Sequence, residues 1–427
     1  MPEPHEMPEP HEMPEPHEVY APESRVDPYP VYARLRAEAP VHPIRDPNGI
    51  EHYLVTRYED ARAALADPRL SRDPKHAWEA LRRSGLYPEG GEGSEPHMLN
   101  SDPPDHTRMR RLVAKAFTPR RVDAMLPRVQ EITDGLIDAF APHGTADLIT
   151  ALAFPLPITV ICELLGVPEA DRAPFREWST AALTPNYTEG AAMPPHEANR
   201  LLREYFTALV TERRRALRSA GDDTEAQPDL LSALVVASTE EGRLTELELV
   251  STAGLLLVAG HETTVNLIGN GMLALLRHRD QLELLRSRPE LLPAAVEEFL
   301  RYDGPVERAM LRVATQDLEI GGTPVPRGAI VTVGVASAHR DPDRYPDPDR
   351  LDITRGDRSH LGFGHGIHFC VGAPVSRMEG RIAVGTLLRR LPDIALDESA
   401  GLLCWRPTGV LRGLESLPVR FTPERLG

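Results

Sequence analysis

The chain has 427 residues, 41% of them hydrophobic, enough to bury a large core in one big domain or two. Its formal net charge of -16 argues against nucleic acid as a partner, because nothing offsets phosphate repulsion over the whole surface. No apolar run approaches about 18 residues, and the N-terminus opens on proline and glutamate, so neither a membrane span nor a signal peptide is expected. Three cysteines (Cys162, Cys370 and Cys404) offer no disulfide framework, and a reducing cytoplasm is the expected setting.

Residues 1–18 are three copies of MPEPHE. Proline at every second or third position blocks helix and ladder pairing, and glutamate keeps such a tract solvated, so residues 1–22 are expected to form a disordered tail before one folded domain, 23–427. A short helix is expected over 28–38 and a hairpin over 41–56 around Pro47-Asn48-Gly49. Helical periodicity dominates from about 104 to 301, with breaks at 142–144, 184–195 and 220–228. After Pro305 the runs shorten and become β-rich, at 312–314, 318–322 and 329–333; a last helix opens at Ala373. The pattern is mainly α with small β-sheets.

Five segments carry chemistry. Asp102-Pro103-Pro104-Asp105-His106-Thr107-Arg108-Met109-Arg110 reads as a helix start that sets His106 and Arg110 four apart on one face, a spacing that suits a carboxylate. Leu255–Thr264 is an apolar helical run interrupted by Ala259-Gly260-His261-Glu262-Thr263-Thr264. There Gly260 weakens the helix, a threonine can bond back to the preceding turn, and Glu262 beside Thr263 supplies an acid and an alcohol. A zinc-protease helix is excluded, since H-E-x-x-H needs histidine where Val265 stands. Glu298 and Arg301 lie three apart and can pair, followed by a Gly304-Pro305 break and, later, Pro348-Asp349-Arg350-Leu351. The fifth segment is Phe363-Gly364-His365-Gly366-Ile367-His368-Phe369-Cys370-Val371-Gly372. Three glycines in five residues (362, 364 and 366) let the backbone lie flat against a planar group and aim N–H donors at the Cys370 sulfur. With a helix start behind it, that thiol is expected to have a lowered pKa. Cys370 is then a nucleophile, a zinc ligand or a haem ligand. Cys162, inside PLPITVICELLGV, reads as core.

The stretch F-G-x-G-x-H-x-C-x-G resembles the haem-binding signature of the cytochrome P-450 superfamily, with every fixed position matched; beyond it Val375-Ser376 replace the usual Leu-Ala. Ala259–Thr264 resembles the family's oxygen-activation segment A-G-x-[DE]-T-[TS]. Glu298 and Arg301 resemble its E-x-x-R, with Arg350 as third member of a buried triad. The resemblance spans about residues 20–423 and leaves no room for a fused reductase. It implies the P-450 fold in a single large domain, haem b held by a Cys370 thiolate, and propionates bound by His106, Arg110, Arg312 and His368. It assigns Ala259, Gly260, Gly364 and Gly372 to the cofactor's surface, and proton delivery to Glu262 and Thr263.

The implied activity is monooxygenation with O2 and electrons from a ferredoxin and its reductase, by a monomer without nucleic-acid or membrane partners. Outward members of the run Arg108, Arg110, Arg111, Lys115, Arg120 and Arg121 would receive the ferredoxin. An apolar pocket would be lined by Leu99, Leu183, Val258, Val306, Met310 and Val410. The overall likeness is to soluble actinobacterial members that hydroxylate or epoxidise macrolides and other polyketides in antibiotic biosynthesis. Carboxylates of the Gly/Glu-rich loop (Glu89, Glu92, Glu95) would face solvent or receive an amino-sugar ammonium. The alternative within the class is oxidative coupling or hydroxylation of an aromatic, peptide or terpenoid/steroid product. Outside it stand a non-catalytic haem-binding protein, which needs no Glu262/Thr263 pair, and a hydrolase using Cys370 with His368 or His365 as base.

Overall fold

The computed structural model describes residues 17–424 apart from 79–94, 186–187, 189–190, 221–228, 240–243 and 408. Its axis is the helix Glu246–Arg277, 32 residues long. Thr245 caps it: the Thr245 hydroxyl accepts the Glu248 N–H at 3.2 Å, while the Glu248 carboxylate accepts the Thr245 N–H at 2.8 Å. A surface helix would be apolar on one stripe only, whereas this one is buried on nearly every side. The helices Pro155–Leu165, Pro195–Ala220, Leu292–Tyr302 and Ala373–Arg390 surround it. Their apolar faces form the main core, in which Met109, Leu156, Leu257, Met272 and Leu387 are fully enclosed.

The expected hairpin is present as Val41–Arg45 against Glu51–Val55, with Val41 opposite Val55. Asp46 closes its loop by accepting the Asn48 and Ile50 N–H groups at 2.9 and 2.8 Å, and Gly49 turns at φ 79°. Glu51–Val55 continues in parallel with Ile330–Val333, which pairs in turn with Arg312–Ala314 and so with Leu70–Ser71. This five-stranded sheet carries Arg312 to the same side as the segment 65–72. A three-stranded sheet joins Thr145–Asp147, Pro418–Arg420 and Ala395–Leu396, and a third pairs Leu318–Ile320 with Thr323–Val325.

The helix expected over 28–38 is Tyr29–Glu38. Two features of the helical region differ from the periodicity. Thr145–Asp147 is a strand, and the chain breaks over 166–174, where Gly166 takes φ 71° and Pro168 and Pro174 follow. Residues 17–22 also depart from the expected tail. Val19 is buried, and the His17 N–H donates to Arg45 O at 3.0 Å. The tail expectation for residues 1–16 lies outside the described residues.

Candidate active site: a cysteine loop facing a cationic cradle

The loop before Ala373 folds as its glycines dictate. Gly364 and Gly366 take φ 74° and 76°, the left-handed region that excludes most side chains. A Cβ on Gly366 would also stand 3.0 Å from Ala66 Cα. The Cys370 N–H donates to Phe363 O at 2.9 Å, closing the loop on itself. Cys370 opens to solvent together with Ile367 (50% exposed) and Phe369 (40% exposed), although the three lie between packed elements. On the long helix, Ala259 is exposed while Leu256, Leu257, His261 and Glu262 around it are buried. Solvent-accessible surface in the middle of a core helix and at a loop between packed elements marks open space beside each.

The thiol does not behave as the sequence suggests. The N–H groups of Gly372 and Ala373 and the charge of Arg110 favour the thiolate, but burial outweighs them and raises the Cys370 pKa. The thiol is deep in the protein while still open to solvent. Burial thus favours the neutral thiol, and a cation at the sulfur would favour the thiolate.

Beside Cys370 lies a cluster of donors, several of whose atoms have no partner. The His106 and His368 rings are 4.4 Å apart between centroids. Arg110 donates to Phe369 O, and Arg312 to Leu65 O at 3.1 Å, the carbonyl that also borders Gly366. Both nitrogens of His106, Nε2 of His368 and Nε of Arg312 are buried without a hydrogen-bond partner. Burial, then the repulsion of His106, Arg72, Arg312 and Arg110, pushes the His368 pKa down to about 2. Burial pushes Arg312 down to about 10 and lowers His106 and Arg110 as well. The nearest acid, Asp102, is already engaged by Ser71 Oγ and the Arg72 N–H. Among the described residues no ion pair joins any of the four to a carboxylate. Unsatisfied buried donors of this kind call for an anionic ligand, and a planar group carrying carboxylates fits them.

On the long helix, the Thr263 hydroxyl donates to Ala259 O at 3.0 Å. The helix stays continuous there, and a Cβ on Gly260 would meet Ile161 at 2.9 Å. Gly260 is thus required by the close approach of Pro155–Leu165. Glu262 points elsewhere. Its carboxylate accepts Arg406 Nη1 at 2.6 Å and the Ser179 hydroxyl at 3.0 Å, with His261 Nε2 3.5 Å away. Its pKa falls to about 2: burial opposes ionisation, but His261 and Arg406 together outweigh it. The acid expected beside Thr263 is an ionised, locked carboxylate.

The Glu298–Arg301 pair is buried and two-pronged, at 2.8 Å for each contact. Arg350 is not its third member: that side chain is exposed, and only its carbonyl accepts Arg301 Nη2 at 3.0 Å. The second cation on Glu298 is Arg355, 3.4 Å away. A loop offering several arginines fixes its contacts by backbone path, which sequence spacing does not encode.

The residues expected to line a pocket stand on several separate elements. Val306 bridges Leu411 antiparallel, and Val410 O accepts the Glu307 N–H at 2.9 Å, which places 306–310 beside 410. Arg72 donates to both Leu99 O and Leu311 O, drawing Leu99 to the same side. Leu183 ends the helix Phe175–Leu183, whose Ser179 touches Glu262, and Val258 is half-buried beside Ala259. Glu95 is occupied by Arg203 at 2.6 Å, while Glu89 and Glu92 lie outside the described residues. Of the basic run, Arg108 is tied to Glu248 and Asp105 and Arg110 turns inward; Arg111, Lys115, Arg120 and Arg121 are exposed.

The Cytochrome P450 family profile matches residues 191–288 and 285–392. The chain is 53% identical over 405 residues to the cytochrome P450 monooxygenase PikC of Streptomyces venezuelae, covering 93% of this chain and 92% of the relative. The chain is a cytochrome P450. It is also 44% identical to 6-deoxyerythronolide B hydroxylase of Saccharopolyspora erythraea, over 93% of this chain and 96% of that one. The solved tirandamycin C-bound P450 monooxygenase TamI shares the fold with TM-score 0.84 and 43% identity, over 95% and 99% of the two chains. As a P450 the protein is an oxidoreductase that acts on a small molecule with O2 and redox partners, and its cofactor is haem held by a cysteine thiolate. No described helix is long and apolar enough to cross a membrane.

Proposed function

We propose that this P450 hydroxylates or epoxidises a bulky apolar polyketide, a macrolide or its macrolactone core, using Cys370 as the thiolate ligand and a ferredoxin as electron donor. The observation that supports the Cys370 assignment is the set of unpartnered donor atoms on His106, Arg312 and His368, with Arg110 beside them, around a solvent-accessible cysteine that lies between packed elements. Cys162 is sealed in the core, and Cys404 lies in an exposed loop beside Leu402.

When bound, haem-thiolate activates dioxygen so that one oxygen atom enters the substrate and the other leaves as water. His106, Arg110, Arg312 and His368 would bind the haem propionates. The backbone at Gly364 and Gly366, bare of side chains, would let the cofactor approach the loop closely. On turning from Ala259 O, the Thr263 hydroxyl would donate its proton into the site while accepting another from water. Glu262 exchanges a proton only after Arg406 moves away, since the ion pair holds the carboxylate ionised.

Leu99, Leu183, Val258, Val306, Met310 and Val410 offer apolar surface to the substrate and keep water from the reacting carbon. The likeness to a hydroxylase named for a macrolactone, and to an enzyme solved with tirandamycin C, supports a polyketide occupant. The exposed cations Arg111, Lys115, Arg120 and Arg121 stand on the elements next to the cysteine loop and suit an acidic electron carrier. The chemistry is tested by titrating the purified holoprotein with 6-deoxyerythronolide B and related macrolactones. A low-to-high spin shift with NADPH-dependent, ferredoxin-dependent oxygenation is the expected result. A shift produced by steroids or aromatic compounds, with none from any macrolactone, would overturn the substrate reading.

A further inference from the structure

Glu297 sits one residue before the buried Glu298–Arg301 pair and, turned about 100° around the same helix, meets different neighbours. Its carboxylate is buried and fully used. Oε1 accepts Arg377 Nε at 2.7 Å; Oε2 accepts Arg377 Nη2 at 2.8 Å and His360 Nε2 at 3.0 Å. His360 Nδ1 accepts the Gly362 N–H at 3.2 Å, so the ring proton belongs on Nε2, directed at Glu297.

Both partners grip the cysteine loop. His360 opens it and fixes the Gly362 amide. Arg377 stands about one turn into the following helix and lays its guanidinium over the Phe363 ring, 4.4 Å from the centroid. Phe363 in turn receives the Cys370 N–H on its carbonyl. One carboxylate on a separate helix therefore ties the entrance of the loop, its aromatic residue and the helix after the ligand into a single unit. The charge of Arg377 also bears on the Cys370 sulfur, and Glu297 offsets that charge.

We propose that Glu297, acting through Arg377 and His360, is a positioning residue for the Cys370 thiolate, setting both the direction of the sulfur and the field around it. This rests on Cys370 as the haem ligand.

The test uses the holoprotein and its Glu297→Gln variant, which keeps the shape but leaves Arg377 uncompensated beside the sulfur. Expected are a midpoint potential displaced to more positive values and a several-fold faster loss of the thiolate-type band in the reduced, CO-bound protein. Glu297→Asp should restore both in part. A variant with a lower melting temperature but unchanged potential and unchanged band decay would overturn the proposal, leaving Glu297 a fold residue only. If Glu297→Gln does not accumulate, Arg377→Lys is read in the same way. It keeps the charge but loses the two-pronged bond and the flat stack, so faster band loss supports the proposal and an unchanged rate overturns it. Cys370→Ala separates the two levels. If it retains the thiolate band, the ligand assignment itself is wrong; if it loses the band while Glu297→Gln is silent, only this inference falls.

Discussion

Glu379 is a core acid that burial holds toward its neutral form. It lies on the helix Ala373–Arg390, 1% exposed, with Oε2 unpartnered and only the Thr264 hydroxyl in contact. Burial raises its pKa from 4.5 to about 8. Below pH 4.5 both folded and unfolded chains hold this proton, so Glu379 is then neutral in its effect. Between 4.5 and 8 the unfolded chain releases the proton and the folded chain keeps it. Stability is therefore lost as pH rises through this window, at a limiting slope of about 1.4 kcal/mol per pH unit. By pH 7 the ceiling is about 3 kcal/mol, and relaxation of the site brings the expected value to roughly 1–3 kcal/mol. Glu262 and Glu297, held near 2 by their cations, are ionised in both states over the same range and drop out. The assay is urea unfolding of the holoprotein and Glu379→Gln at pH 5, 6, 7 and 8. The variant should gain on the parent steadily toward pH 8. Parallel curves would refute the neutral buried acid.

Arg406→Ala strips the cation from buried Glu262 and should cost about 3–5 kcal/mol in unfolding free energy, with more reducing equivalents lost as peroxide during turnover. Gly366→Ala forces a side chain into φ 76° against Ala66; a loss of about 1–3 kcal/mol and a reduced haem-to-protein absorbance ratio are expected. Glu298→Ala leaves Arg301 buried and unpaired, costing about 3–5 kcal/mol, whereas Arg350→Ala should stay within about 0.5 kcal/mol of the parent in the same denaturation assay.

The cysteine loop was legible because its requirements are local: glycine where φ is positive, and a cysteine at a fixed distance from a helix start. The middle of the central helix was legible from the apolar run that begins at Leu255 and the polar patch that interrupts it, and His106 and Arg110 from their four-residue spacing. What escaped was set by distance along the chain. Arg406 reaches Glu262 from 144 residues away, and nothing near either residue announces the pair. Arg355 rather than Arg350 faces Glu298 because of the loop's path. Glu297 and Glu379 look like ordinary helical glutamates, and only burial distinguishes them. The Cys370 thiol moved opposite to expectation because the sequence displays the N–H groups and the helix start but not the depth of burial that outweighs them.

The most direct test of the account is the absorption spectrum of the dithionite-reduced, carbon monoxide-treated protein, with and without Cys370→Ala. A strongly red-shifted Soret band in the parent, absent from the variant, is the predicted result. A colourless parent, or a red-shifted band that survives the substitution, would contradict Cys370 as the thiolate that holds the haem.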